Sequence, residues 1–330
     1  MLRLSDFDYE LPKELIALYP EKERDNCKML IVDRKEQSIK HCVFRDIKDY
    51  FHQGDLFILN NTKVLPCRLL GKRATGGKVE IFLLNRKEGL IFTAMLKPSR
   101  LKIGEKIIFA DKNISAEIIS KDCVVFNAKG IESIYGLGVM PLPPYIKRDA
   151  EHLDKEYYQT VYAKKEGAVA SPTAGLHFTK ELIGSMENTG IKFGYLTLHV
   201  GLGTFKPVKD EEVVNHKMDK EYFEIPDEVS CAIKQAQESK AKICAVGTTS
   251  LRALEAFAQG AKQGWTDLFI YPGFKFQLAD CLLTNFHLPR TTLFMLTCAF
   301  GGAELIKKAY QEAIDKKYRF YSYGDAMLIV

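Results

Sequence analysis

Several stretches of this chain join small residues to polar ones in patterns that suit ligand chemistry. Gly247-Thr248-Thr249-Ser250-Leu251-Arg252 connects an apolar run to a helical pattern. Amides and hydroxyls at such a junction favour an anion such as a carboxylate or phosphate, and a plain Ser or Thr helix cap is the alternative. Asn285 and His287 lie between an apolar strand and an apolar helix, where an unpaired amide or imidazole is costly unless a partner or ligand satisfies it. In residues 195–200, alternation puts Tyr195, Thr197 and His199 on one face and Leu196, Leu198 and Val200 on the other, so His199 either enters a cleft or bonds within a sheet. The segment 167–179 (GAVASPTAGLHFT) contains His177 and is rich in Ala and Gly. It lets a backbone approach a ligand closely, or serves as a packed helix entry with Thr179 as cap. Asp325 follows Arg319-Phe320-Tyr321-Ser322-Tyr323-Gly324, aromatics that suit a core, with a carboxylate at a turn available to a site.

Other chemistries lose their supports. Neither H-E-x-x-H nor G-x-S-x-G nor G-x-x-x-x-G-K-[ST] occurs, which removes the usual signatures of zinc proteases, α/β-hydrolases and P-loop enzymes. Gly201-Leu202-Gly203 lacks the third glycine of a dinucleotide fingerprint. The run 216–221 reads as a solvated charged face. Cys27, Cys42, Cys67, Cys123, Cys231, Cys244, Cys281 and Cys298 stand singly with no C-x-x-C pair, as small buried hydrophobes do in a reducing compartment. Structural zinc is not expected.

The elements that must position these residues read as α/β. Helices are expected at 11–19, 180–188, 228–240, 251–262, 293–299 and 303–316, and strands at 29–32, 55–60, 195–200, 243–246, 268–271 and 326–329. Between them, about 64–135 holds short β-prone runs (79–84, 90–96, 106–109, 114–119, 123–126) punctuated by glycines, the spacing of a small β-barrel or sandwich. A proline-rich return at 140–148 closes it. The expected fold is a mixed-sheet α/β domain (1–62 and 149–330) carrying an inserted β-barrel (63–148). Open α/β sheets bind ligands beyond the carboxyl ends of their strands, and the loops at 60–63, 201–205, 247–250 and 285–289 all follow apolar strands. A shared cleft follows from that.

Composition sets the bounds. At 330 residues, with 46% hydrophobic and 27% charged, the chain can build a large core and exceeds the roughly 250–300 residues at which a single core stops growing. No window approaches the roughly 18 apolar residues of a membrane span, and an acidic start does not resemble a secretory signal. A soluble cytoplasmic protein without membrane contact, and a monomer, are expected. The net charge of +5 permits polyanion binding without demonstrating it.

Taken together, the motifs LNNTKVLPCRL (59–69), PLPPYI (141–146), YQTVYA (158–163), the 167–179 loop, LHVGLGTF (198–205), GTTS (247–250), TNFHLP (284–289) and SYGDAM (322–327) resemble the S-adenosylmethionine:tRNA ribosyltransferase-isomerases of queuosine biosynthesis, end to end. Departures are few: Ser171 where alanine is usual, Thr291 where serine is common, and Asp219 where a second histidine often follows His216. The resemblance implies an enzyme with an α/β domain interrupted by a β-barrel. It implies that S-adenosylmethionine acts as ribosyl donor and that the aminomethyl group of a 7-deazaguanine at the tRNA wobble position accepts. Epoxyqueuosine-tRNA, adenine and methionine would be the products, with no metal or prosthetic group.

Matched to that chemistry, His199, His177 and His287 are the candidate acid and base, and Asp325 is placed to pair with an ammonium or the acceptor amine. Asn61, Thr173, Gly175, Gly201, Gly203, Thr204, Thr248, Thr249, Ser250, Arg252 and Asn285 would hold substrate. Lys63, Arg68, Lys72, Arg73, Lys147 and Arg148 are the candidate tRNA phosphate contacts. Two other readings compete. A phosphosugar-dependent transferase would use Gly247 to Ser250 as phosphate cradle, and a non-catalytic RNA binder would rest on the barrel and the basic balance.

Overall fold

The computed structural model describes residues 2–111, 113–201, 208 and 210–330. In chain order the first part holds β1 (Lys28–Asp33), β2 (Ser38–Val43), β3 (Leu56–Asn60) and β4 (Thr62–Val64). Then come β5 (Arg68–Arg73), β6 (Lys78–Arg86), β7 (Ile91–Lys97), β8 (Lys106–Ile108), β9 (Ser115–Ser120) and β10 (Cys123–Asn127). Two short helices, α1 (Ile131–Gly136) and α2 (Asp154–Tyr157), lead back to β11 (Lys165–Ala168), α3 (Lys180–Asn188), β12 (Lys192–Leu198) and β13 (Glu221–Glu224). The rest is α4 (Asp227–Ser239), β14 (Ile243–Val246), α5 (Thr248–Ala258), β15 (Gln263–Thr266), β16 (Cys281–Asn285), α6 (Thr292–Gly301), α7 (Ala303–Asp315) and β17 (Ala326–Ile329).

Nine strands form one mixed sheet in the order β15-β13-β12-β3-β14-β16-β17-β1-β2. Its central strands are apolar on both faces because both faces are covered. In β3, Leu56 and Ile58 face one core while Phe57 and Leu59 face the other, and Ile243/Ala245 against Cys244/Val246 in β14 repeat the pattern. Helices α4 to α7 cover the first face and α3 the second. Six strands, β10-β7-β6-β5-β8-β9, close into a separate antiparallel barrel around Leu69, Ile81, Phe92, Ile107 and Phe126. The mixed α/β architecture with a barrel inserted in sequence is therefore as the residues indicated.

Three expected elements differ. Residues 268–271 form no strand, because side chains take the backbone groups a ladder would need: Arg252 Nε donates to the Leu268 carbonyl at 3.0 Å and Thr266 Oγ1 accepts from its amide at 3.2 Å. The edge strand is β15 instead. Residues 11–19 form only a single tight turn at Lys13–Leu15, since the backbone beyond it pairs with Phe320 through Ala17 N to Phe320 O (3.1 Å) and Phe320 N to Leu15 O (2.7 Å). Helix α5 begins at Thr248 and ends at Ala258, ahead of Gly260 at φ 105°.

The return from the barrel is locked by Arg148. Its guanidinium makes paired bonds of 2.8 and 2.7 Å to Asp154, a carboxylate with no solvent exposure, and lies 4.3 Å from the Tyr19 ring centroid. Burial pushes the Asp154 carboxyl up, but Arg148, the Glu151 amide and Tyr323 outweigh it and hold it below its ordinary value. Parallel pairing of β4 with β11 ties the two barrel connections together.

Candidate functional site

Strands β12, β3, β14 and β16 are mutually parallel, so their carboxyl ends share one sheet edge. Strand β17 runs antiparallel to β16, with Asn285 opposite Ala326, which brings the tail before Ala326 to that same edge. Loops distant in sequence thereby meet. Thr173, Thr248, Thr249, Asn285 and His287 line a narrow crevice of about 50 Å³, with Ser171, Tyr321 and Ser322 completing its wall.

The crevice is backed by a hydrogen-bonded chain. Thr173 Oγ1 donates to Asn285 Oδ1 at 2.9 Å, and Asn285 Nδ2 donates to His177 Nε2 at 3.0 Å. Nε2 thus accepts, which leaves the proton on Nδ1, 3.1 Å from Cys27 Sγ. Both ring nitrogens of His177 are engaged. Burial, reinforced by the charges of Arg319 and Arg24, pushes it down to about 3, so the ring is neutral. His287, with Nε2 at 2.8 Å from Thr284 Oγ1, is likewise pushed down to about 3 by burial. Ser171 Oγ, in the crevice wall, is buried without a hydrogen-bond partner.

A second, wider cleft of about 820 Å³ opens between the barrel and the sheet and adjoins the crevice at Val200, which lines both. His199 lies here, half-buried, its Nδ1 2.8 Å from Thr62 Oγ1. Gly167, at φ 143°, packs its backbone on the imidazole; a Cβ there would fall 2.8 Å from the ring. Desolvation lowers the His199 pKa, with Glu224 opposing and Lys165 assisting. The ring lies parallel to Tyr222, with centroids 6.2 Å apart.

Other expected site residues go elsewhere. Asp325 accepts from the amides of Lys28 (3.1 Å) and Arg319 (2.7 Å) and pairs with the Arg319 guanidinium at 3.5 Å. It is a clamp beneath the tail and lines neither cleft. Asn61 Oδ1 accepts from Thr197 Oγ1 at 2.7 Å, within the sheet edge. Gly175 makes its close approach to Tyr162, whose hydroxyl would meet a Cβ at 1.9 Å. Ser250 is buried inside α5. Arg252 and Glu221, each 3% exposed, form a buried pair, and Glu221 Oε1 accepts from Gly201 N at 2.8 Å. Glu221 therefore corrects the reading of 216–221 as wholly solvated: Arg252 makes its burial tolerable. Gly203 and Thr204 lie outside the described residues.

The cations divide as well. Arg148 is the structural lock described above, Arg73 chelates Glu105, Arg68 pairs with Glu80 at 2.8 Å, and Lys63 pairs with Glu166 at 3.0 Å. Lys72 and Lys147 are exposed. Among the described residues no group of three or more His, Cys, Asp or Glu is placed to hold a metal, and no helix is long and apolar enough to cross a membrane.

Sequence reasoning placed Asn60 and Thr62 in a strand-end loop without giving them a role, and passed over Tyr222. Asn60 stitches β3 to β12 and α5, accepting from Leu198 N (3.0 Å) and donating to Leu198 O (2.9 Å) and Thr249 Oγ1 (3.3 Å). The paired asparagines were a signal; which of them does the stitching depends on the register of β3 against β12.

The family model described as queuosine biosynthesis protein matches residues 4–329. The chain is 52% identical over 337 residues to the S-adenosylmethionine:tRNA ribosyltransferase-isomerase of Sulfurihydrogenibium sp. and 46% identical over 335 residues to that of Aquifex aeolicus, with 100% of each chain covered in both cases. A crystal structure of S-adenosylmethionine tRNA ribosyltransferase from Thermotoga maritima superposes with a TM-score of 0.58 at 36% identity, covering 98% of this chain and 100% of that one. Matched over its whole length, the chain belongs to the queuosine-biosynthesis family of S-adenosylmethionine:tRNA ribosyltransferase-isomerases.

Proposed function

We propose that this chain transfers and isomerises the ribosyl group of S-adenosylmethionine onto the aminomethyl group of a 7-deazaguanine at the tRNA wobble position, with His199 as the base. The supporting observation is the setting of His199. Its ring is half-buried on the wall of a cleft large enough for a nucleoside, held by Thr62 through Nδ1, and kept neutral at physiological pH by desolvation. With the Nδ1 proton donated to Thr62 Oγ1, Nε2 offers a lone pair. The sulfonium acidifies the neighbouring 5′ protons of the donor. Nε2 removes one, adenine leaves, the acceptor amine attacks the rearranging sugar, and methionine departs.

The crevice takes a complementary part. The amino end of α5, with Thr248 and Thr249 exposed to it, suits the methionine carboxylate through amides and helix dipole. At about 50 Å³ it accommodates that end of the donor only, leaving the nucleoside in the wide cleft. Lys72 and Lys147 serve as phosphate contacts. The test is to incubate the protein with precursor-bearing tRNA and ribose-labelled donor, then digest the RNA. Label in the modified nucleoside with stoichiometric adenine is expected; adenine release without label in RNA overturns the transfer.

A further inference from the structure

We propose that His199, Tyr222 and Trp265 form an aromatic ladder on which unstacked bases of a single-stranded RNA loop are held beside the reacting centre. The inference rests on the function proposed above and deepens it, by locating where the acceptor loop is gripped.

The ladder follows from strand pairing. Strands β12, β13 and β15 lie side by side at one end of the sheet. His199 N donates to Tyr222 O at 2.9 Å, and Tyr222 stands directly opposite Trp265 in the β13–β15 register. Side chains directly opposite one another project from the same face of a sheet, and Phe223, next in β13, is buried in the core on the other face. The three rings therefore form a row. Their centroids are 6.2 Å apart from His199 to Tyr222 and 5.9 Å from Tyr222 to Trp265. All three line the wide cleft, with Met95 of the barrel lining it too.

Exposure grades along the row. His199 is half-buried at the inner end, while Trp265 is 65% exposed on the edge strand. A large aromatic left open on a sheet edge is an association hazard unless it has a use. Nucleobases supply one, since every base has a π-face that stacks on an aromatic ring irrespective of sequence, and anticodon-loop bases can be splayed out of their stack. Arg86 and Lys220 line the cleft alongside Glu166, Asp219 and Glu221; with Glu166 paired to Lys63 and Glu221 to Arg252, the two cations remain for the accompanying phosphates.

Trp265 is the only tryptophan in the chain, so its emission reports on this cleft alone. The full-length protein is titrated with an anticodon stem-loop RNA, with the corresponding blunt duplex, and with S-adenosylmethionine by itself. Saturable quenching by the stem-loop is expected, larger than any from the duplex or from S-adenosylmethionine, whose nucleoside sits at the inner end of the cleft beside His199. Trp265→Ala should weaken stem-loop affinity about tenfold, in line with the loss of one base–aromatic stack. It should raise the KM for tRNA while leaving kcat at saturating RNA, the KM for S-adenosylmethionine and the Tm unchanged, and Trp265→Phe should restore most of the affinity. If the stem-loop binds with unaltered emission and Trp265→Ala binds it equally well, or if duplex or donor alone quenches to the same extent, the ladder is overturned and the proposed reaction stands. Failure of the unmodified protein to bind any tRNA would overturn both.

Discussion

His199 follows β12 and His177, in the turn ahead of α3, is bonded to Asn285 at the end of β16, yet the fold treats the two oppositely. Behind the crevice wall, His177 is 5% exposed, both ring nitrogens are engaged, and burial with two nearby guanidinium groups holds it neutral. In the cleft, His199 is half-buried, one nitrogen is held by a hydroxyl, and the ring borders open space. A histidine whose nitrogens are both committed inside a core is scaffold; one that is oriented through a single nitrogen has the other for chemistry. The barrel makes the difference, because it walls one side of the cleft without filling it.

That contrast breaks if the two histidines behave alike on substitution. His199→Gln should lower kcat by roughly 10² to 10⁴-fold, the usual worth of a positioned acid or base, with Tm unchanged, as read by adenine release and thermal melting. His177→Gln should do the reverse. It strands Asn285 or Cys27 without a partner and should cost about 1–3 kcal/mol of stability, measured by urea unfolding, while turnover per folded molecule stays near normal. Loss of turnover by folded His177→Gln would erase the distinction.

pH sharpens the comparison. The folded values of His177 and His287 are pushed down to about 3, below the ordinary histidine value. The unfolded chain therefore binds more protons between about 6.5 and 3, and stability must fall as pH drops through that window. Urea midpoints across pH 4 to 7 should show the decline, and His177→Gln should lessen it. The activity profile is expected to lose its acidic limb below the ordinary histidine value, following His199.

Thr62→Val tests the orienting hydroxyl. Losing one hydrogen bond to the working imidazole should cost about 1.5 kcal/mol, or roughly tenfold in kcat, with tRNA and donor affinity retained. The smallest effect belongs to the exposed cations. Lys147→Ala should reduce the slope of log affinity against log salt by about one, whereas no such change is expected for Arg73→Ala, since Arg73 is already chelated by Glu105. An equal reduction for the two would place Arg73 on the RNA after all.

Much of the fold was legible because the doubly covered strands are apolar throughout and the barrel strands are short, alternating and separated by glycines. The strand over 268–271 misled because its apolar pattern is genuine, while its backbone bonds go to the Arg252 and Thr266 side chains. Glu221 was illegible for a similar reason: it stands among charged neighbours, and only the fold brings Arg252, thirty-one positions away, against it.

By itself the sequence determined which residue types were available at the ends of the strands, since local periodicity and turn residues specify elements and their termini. Which of those residues face a cavity was settled only by the tertiary structure. His177 and His199, like Arg148 and Lys147, are locally alike. Strand register, antiparallel entry of β17 and closure of the barrel decide which of each pair is consumed by internal bonds and which meets solvent, because a buried polar group must find its partner across the fold rather than along the chain.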